Sequence, residues 1–151
     1  MPIDPSILAD NAEQLRRLES FVAGTSDLNH DLGGGWTVAV ALAHLAFWDR
    51  RAVLLLQRWA TRDVAPDDPD DDILNRALVD EWRELPPRRA AAMAVDAARE
   101  VNAAVRELAP ETFAAVQARD DLWLLHRGNH RREHLDQIEG AMRRGRQVRS
   151  Q

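Results

Sequence analysis

At 151 residues the chain is long enough to bury its own core and short enough to form one domain, 1–151. Its 45% apolar and 30% charged residues are those of an ordinary soluble globular protein, and no apolar run approaches the ~20 residues of a membrane span, so no membrane partner is expected. A net charge of −5 argues against a nucleic-acid partner.

The amino end, MPIDPSILADNAEQ, has neither the basic nor the apolar stretch of an export signal, which makes the cytoplasm the expected location. A first helix starts at Asp4-Pro5, with Asp4 as N-cap and Pro5 in the first helical position, and stops at Gly24. Ile7, Leu8, Leu15, Leu18, Phe21 and Val22 give it an apolar face. GTSDLNHDLGGG reads as a loop. Thr37 then caps the strongest helix of the chain, in which Val38, Ala41, Leu45, Trp48, Ala52, Leu56 and Trp59 make one apolar stripe. DVAPDDPDDD is a solvated acidic connection, without the glycine and terminal glutamate of a calcium loop. A short helix from about Ile73 to Glu84 ends at Pro86-Pro87, a third long helix runs to about Leu108, and Pro110 opens a short turn or helix. The last helix is predicted from about Asp121 to Arg144, with Gly145 after it. Nothing alternates as a strand does, so the fold class is all-α: an antiparallel four-helix bundle with one extra short helix.

Three of the five histidines, His126, His130 and His134, stand four residues apart in the last helix. At 100° per residue, His134 lies ~40° from the core position Ile138, His130 ~80° and His126 ~120°. The first two are at the inner edge of the buried face, while His126 drifts towards solvent. His126 and His134 are separated by ~12 Å of helical rise, too far for one ion. A chelating pair is therefore His126/His130 or His130/His134, and the wheel favours the second. The stretch has no internal glutamate of the H-E-x-x-H kind, nor the Glu-x-x-His of di-iron bundles. His44, in LAHLAFWD, flanks the stripe of the second helix among alanine, leucine and tryptophan, where it reads either as a half-buried hydrogen-bonded ring or as a ligand. If the second and last helices are neighbours, it can face the pair, and three neutral imidazoles with an open fourth position suit zinc or another late divalent metal. With neutral histidine as ligand and an ordinary pKa of ~6.5, affinity should fall below about pH 6.

GWTVAVALAHLAFWD, followed some eighty residues later by NHRREHLDQIEGAM, resembles the DinB-like superfamily of metal-binding four-helix bundles, which includes YfiT-like proteins and thiol-dependent transferases and isomerases. The resemblance covers most of the chain, with its specific motifs confined to these two helices. It implies His44, His130 and His134 as ligands of a divalent metal, zinc or nickel foremost. Ala39 and Val40 depart from the polar residues that often follow GWT in such proteins, without touching the ligands.

Around these positions, Asp49 is read as one half of a helix-surface pair, and Asn129 and Glu133 either as partners of the imidazole N–H groups or as exposed polar residues. Trp36 is expected to staple the start of the second helix. Arg127 and Arg131 fall within ~20° of Ile138 and either snorkel past the bundle end or bind an anion over the metal.

The chain has no cysteine, lysine or tyrosine, and its serines lie outside the two motif helices. Cysteine chemistry, Schiff bases and a phenolic acid or base are thereby excluded, and the attacking group of an enzyme should be bound to the metal. The resemblance implies a transferase or isomerase using a low-molecular-weight thiol and an electrophilic substrate. Mycothiol is the first candidate, because an all-arginine set of basic residues suggests a GC-rich genome, and bacillithiol is the next. A hydrolase using metal-bound water and a non-catalytic metal-binding stress protein are the alternatives. A homodimer is compatible with each.

Overall fold

Asp4 accepts a hydrogen bond of 2.9 Å from the Ser6 N–H, and with Pro5 in the first turn this starts helix α1, Pro5–Gly24. The structure, a computed structural model, describes residues 3–151. After α1, strands β1 (Asp31–Gly33) and β2 (Trp36–Thr37) form a minimal antiparallel hairpin. Gly33, Gly34 and Gly35 make its turn at φ of 86°, 63° and 81°, which explains the glycine triplet. The hairpin was not expected, because strands of three and two residues are too short to alternate visibly.

Helix α2 (Val38–Trp59) begins where the Thr37 hydroxyl accepts the Val40 N–H. It is followed by α3 (Asp71–Glu84), capped by the Asp70 carboxylate on the Ile73 N–H, and by α4 (Pro87–Arg106) and α5 (Pro110–Ala118), each with proline in its first turn. The single stripe expected for α2 is exceeded, since every residue from Val38 to Ala46 is buried. The helix is covered by α4, α3 and α6 together, and its first half, apolar nearly all round, is interior.

The last helix departs most from expectation. Asp120 takes a positive φ of 60°, Leu122–Leu124 forms a single 3-10 turn, and α6 runs over Arg127–Arg149 rather than 121–144. Leu124 and Leu125 are buried by this detour, so the apolar run before His126 serves the core as a turn. Gly145 does not end α6 but lies within it. A Cβ there would come within 2.7 Å of the His30 ring, so the glycine answers close packing.

The four long helices α1, α2, α4 and α6 pack in a ring, α1 on α4 and α6, and α2 on the same two. Two apolar clusters fill the interior. One joins Leu18, the first half of α2, Ala90–Ala98, Leu135 and Ile138, and the other joins Ile7, Ala52–Trp59, Val101, Val105, Phe113 and Leu125. Asn11, Asp49, Asn102, Arg127 and Arg131 form a buried polar layer near the boundary of the clusters. No helix among the described residues is long and apolar enough to cross a membrane.

Candidate metal centre

His44 projects from the buried first half of α2, and His130 and His134 stand one turn apart near the start of α6. His44 is 4% exposed and the other two are half-buried. One ring nitrogen from each of the three lies within 4.8 Å of the others, and the His44 and His130 Nε2 atoms are 3.1 Å apart. Nitrogen ligands at 2.0–2.1 Å from a tetrahedral ion sit about 3.3 Å from each other, so this edge already has the length a metal requires. The donor set fits a divalent ion of zinc type.

The wall around His44 is aromatic. Trp36, Trp82 and Trp48 meet its ring edge-on at centroid distances of 5.2, 5.6 and 6.3 Å. Trp36 thus reaches further than the staple expected of it, into the site itself. Asn75 on α3 fixes the ring: its Oδ1 accepts from Trp48 Nε1 at 3.0 Å and from His44 Nδ1 at 3.1 Å. Because an indole N–H can only donate, the atom between them is the oxygen, and His44 carries its hydrogen on Nδ1. Its Nε2 lone pair is left facing the other two rings. Asn75 and Trp82 went unnoticed in the sequence. Their separation of seven residues, ~20° apart on a helix, marks one face of α3 and was the available signal.

Burial dominates the electrostatics. It pulls the His44 pKa down to about 3, aided by the neighbouring His134. Burial also depresses His130, with Arg127 adding to it, and His134, where the Glu133 charge works the other way. The rings are therefore neutral at pH values where a free histidine is charged. Two consequences follow from the direction of the shifts. Proton competition with a metal should begin well below the pH of about 6 expected from an ordinary histidine. In the metal-free protein the unfolded chain takes up protons below pH ~6.5 while the buried rings of His44 and His130 do not, so stability should fall as pH drops through that value, by on the order of 1 kcal/mol over the next unit for each of these two rings. Urea unfolding at pH 7.5 and 5.5 measures this. A midpoint unchanged between the two would contradict burial of neutral rings.

A cleft of about 770 Å³ opens onto all three histidines, lined at its rim by Asp71, Asp72, Glu133, Asp136 and Arg144. A smaller recess of about 260 Å³, lined by Trp123, Arg127 and His130 among others, adjoins it.

None of the remaining candidates joins the three converging nitrogens. His126 keeps 30% of its side chain exposed, as its angle on the wheel suggested. It occupies the N-cap position of α6, with Nε2 2.9 Å from Asp10 Oδ2 and Nδ1 3.1 Å from the Asn129 amide, so both ring nitrogens are engaged outside the cluster. Replacing His126 with alanine should leave metal content unchanged, as elemental analysis of dialysed protein would show. Gly128 allows this docking, since a Cβ there would collide with the Asp10 carboxylate and lie 3.0 Å from its carbonyl oxygen. Asn129 and Glu133 are exposed, and neither is hydrogen-bonded to a ring of the triad.

Asp49 is not at the surface. It is 1% exposed and accepts from Arg127 Nε at 2.8 Å and from Arg131 Nε and Nη2 at 3.3 and 3.1 Å. Arg131 has no exposed surface, and its Nη1 donates to the Asn11 carbonyl, so it faces the core and cannot hold an anion over a metal. Arg127 spends its other two nitrogens on the Trp123 carbonyl and on His130 Nδ1. Both arginines have helical positions on the buried face, as the wheel required, and a buried carboxylate is what makes that possible.

Comparison with known proteins adds no relative: no family model, no curated protein and no solved structure matches the chain.

Proposed function

We propose that His44, His130 and His134 hold one divalent metal, zinc or nickel foremost, and that the protein is a metal-dependent enzyme of the DinB-like type, its four long helices being the bundle of that superfamily. The observation that carries the reading is the convergence of three neutral imidazoles, from two helices, on the floor of an open cleft. A scavenger that only stores metal needs a closed, saturated site, whereas three protein ligands beside a cleft leave a position for a reactant. A divalent ion at this position supplies Lewis acidity, lowering the pKa of a thiol or water bound beside it. The chain's own contribution is orientation and exclusion. Asn75 sets the His44 tautomer, and Trp36, Trp48 and Trp82 wall the ring off from bulk water.

Transfer of a low-molecular-weight thiol to an electrophile, or isomerisation of a thiol adduct, is the reaction the resemblance supports. One observation favours hydrolysis as the second reading: the cleft rim carries four carboxylates against one arginine, and the two buried arginines are committed to Asp49. That lining repels an anionic thiol but not water. Zinc- or nickel-loaded protein should be incubated with an electrophile panel, with and without mycothiol, bacillithiol or glutathione. Turnover that requires a thiol and disappears in His134→Ala is the expected result. Turnover without thiol would select hydrolysis, and none across the panel would overturn the enzyme reading.

A further inference from the structure

The ring nitrogens of His130 are ordered in a direction opposite to that of a metal ligand. Arg127 Nη2 lies 2.9 Å from His130 Nδ1. A guanidinium has only N–H groups to offer, so Nδ1 must accept with its lone pair, and the hydrogen of the neutral ring sits on Nε2. On the other side of the pair, Asn75 and Trp48 place the His44 hydrogen on Nδ1. The 3.1 Å contact between the two Nε2 atoms is then a hydrogen bond donated by His130 and accepted by His44. Arg127, His130, His44 and Asn75 form one directional chain with every donor matched to an acceptor. It is complete without an ion.

A metal on both Nε2 atoms needs His130 in its other tautomer, with the hydrogen on Nδ1. That hydrogen would point at Arg127, donor against donor. Ligating histidines ordinarily give this second N–H to a carboxylate, a carbonyl or water, which raises their basicity. Arg127 does the reverse, and its positive charge beside the ring opposes a cation as well.

We infer that Arg127 is a gate on the metal site: it holds His130 in the tautomer that cannot ligate, and metal binds only as Arg127 withdraws from Nδ1. The inference rests on the metal reading above. The ring gains and loses no net proton in the change; its one hydrogen moves from Nε2 to Nδ1 by exchange with solvent. Withdrawal does not strand the buried carboxylate, because Arg131 stays on Asp49 through two nitrogens. The guanidinium has a resting place nearby, since its carbon already lies 6.0 Å from the ring centre of Trp123, which is 41% exposed beside the smaller recess. Arg127 is thus a positioning residue acting through His130, and it makes metal uptake conditional on a side-chain movement.

The prediction is a gain. Arg127→Gln removes the obligate donor and offers an acceptor to Nδ1–H, so zinc affinity should rise about tenfold to a hundredfold, the scale on which outer partners of a ligating histidine act. Competition titration with a chromophoric chelator reads the affinities. The second measurement needs no variant: nitrogen-15 histidine spectra of the metal-free wild type should show His130 with its hydrogen on Nε2 and His44 with its hydrogen on Nδ1, and His130 should switch on zinc addition. A variant that binds zinc no more tightly than the wild type, or a metal-free His130 already protonated on Nδ1, overturns the gate while leaving the metal site standing. Zinc bound by neither chain overturns the metal reading and the gate together.

Discussion

Replacing His44 by alanine should strip the protein of its metal: from about one ion per chain after dialysis to a residual amount, with His130→Ala giving the same result. The expected loss exceeds the roughly 10–100-fold that removal of a supporting partner causes, because one of only three protein ligands disappears. The two histidines left in either variant retain little hold on an ion in competition with water and buffer. The fold should persist, since His44 contributes a ring to a wall of tryptophans while Leu42, Leu45 and Ala46 beside it remain buried. Circular dichroism separates the two effects. Full metal retention in both variants, with unchanged helicity, would remove the triad from consideration.

The triad was legible because helices constrain side-chain direction so tightly. A histidine among alanine, leucine and tryptophan on α2 and a four-residue spacing on α6 made His44, His130 and His134 candidates, the family resemblance implied them as one ligand set, and the structure places their nitrogens within 4.8 Å. Helix starts were legible for the same local reason: Asp4 and Thr37 cap as expected, each through its side-chain oxygen. What the sequence concealed depends on contacts between distant segments. The start of α6 was placed six residues early because Leu122–Leu125 has helical composition, and only the positive φ at Asp120 and the burial of Leu124 and Leu125 show it to be a turn. Asn75 could not be assigned to the site before α3 was known to lie against α2. Asp49, five residues from His44, points away from the ligands on a helical wheel and so reads as half of a surface pair; its two arginine partners come from 78 and 82 residues away.

That carboxylate carries a stability effect as large as truncation of a fully buried core side chain. Asp49→Ala should cost about 3–5 kcal/mol, the range found when one member of a buried ion pair is removed and its partner is left uncompensated. Here the consequence is doubled in kind, because Arg127 and Arg131 are 3% and 0% exposed and would both lose their only carboxylate. Burial already pulls the Arg131 pKa below its ordinary value, with Asp49 opposing that shift, so without Asp49 only the lesser attraction of Asp10 offsets the desolvation. A domain of this size has a total stability of about 5–15 kcal/mol, which makes the loss large enough to read directly as a shifted urea midpoint. The surface pair Arg83–Asp80 supplies the comparison, where Asp80→Ala should cost less than about 1 kcal/mol. A triple replacement, Asp49→Leu with Arg127→Met and Arg131→Met, should recover most of the stability, because apolar groups of similar volume can replace a buried ionic cluster at little cost. A loss below about 1 kcal/mol in Asp49→Ala would mean that water reaches the cluster. The chain of contacts from Asp49 through Arg127 to His130 would then be too loose to hold a ring tautomer, so this one unfolding curve also bears on the metal site.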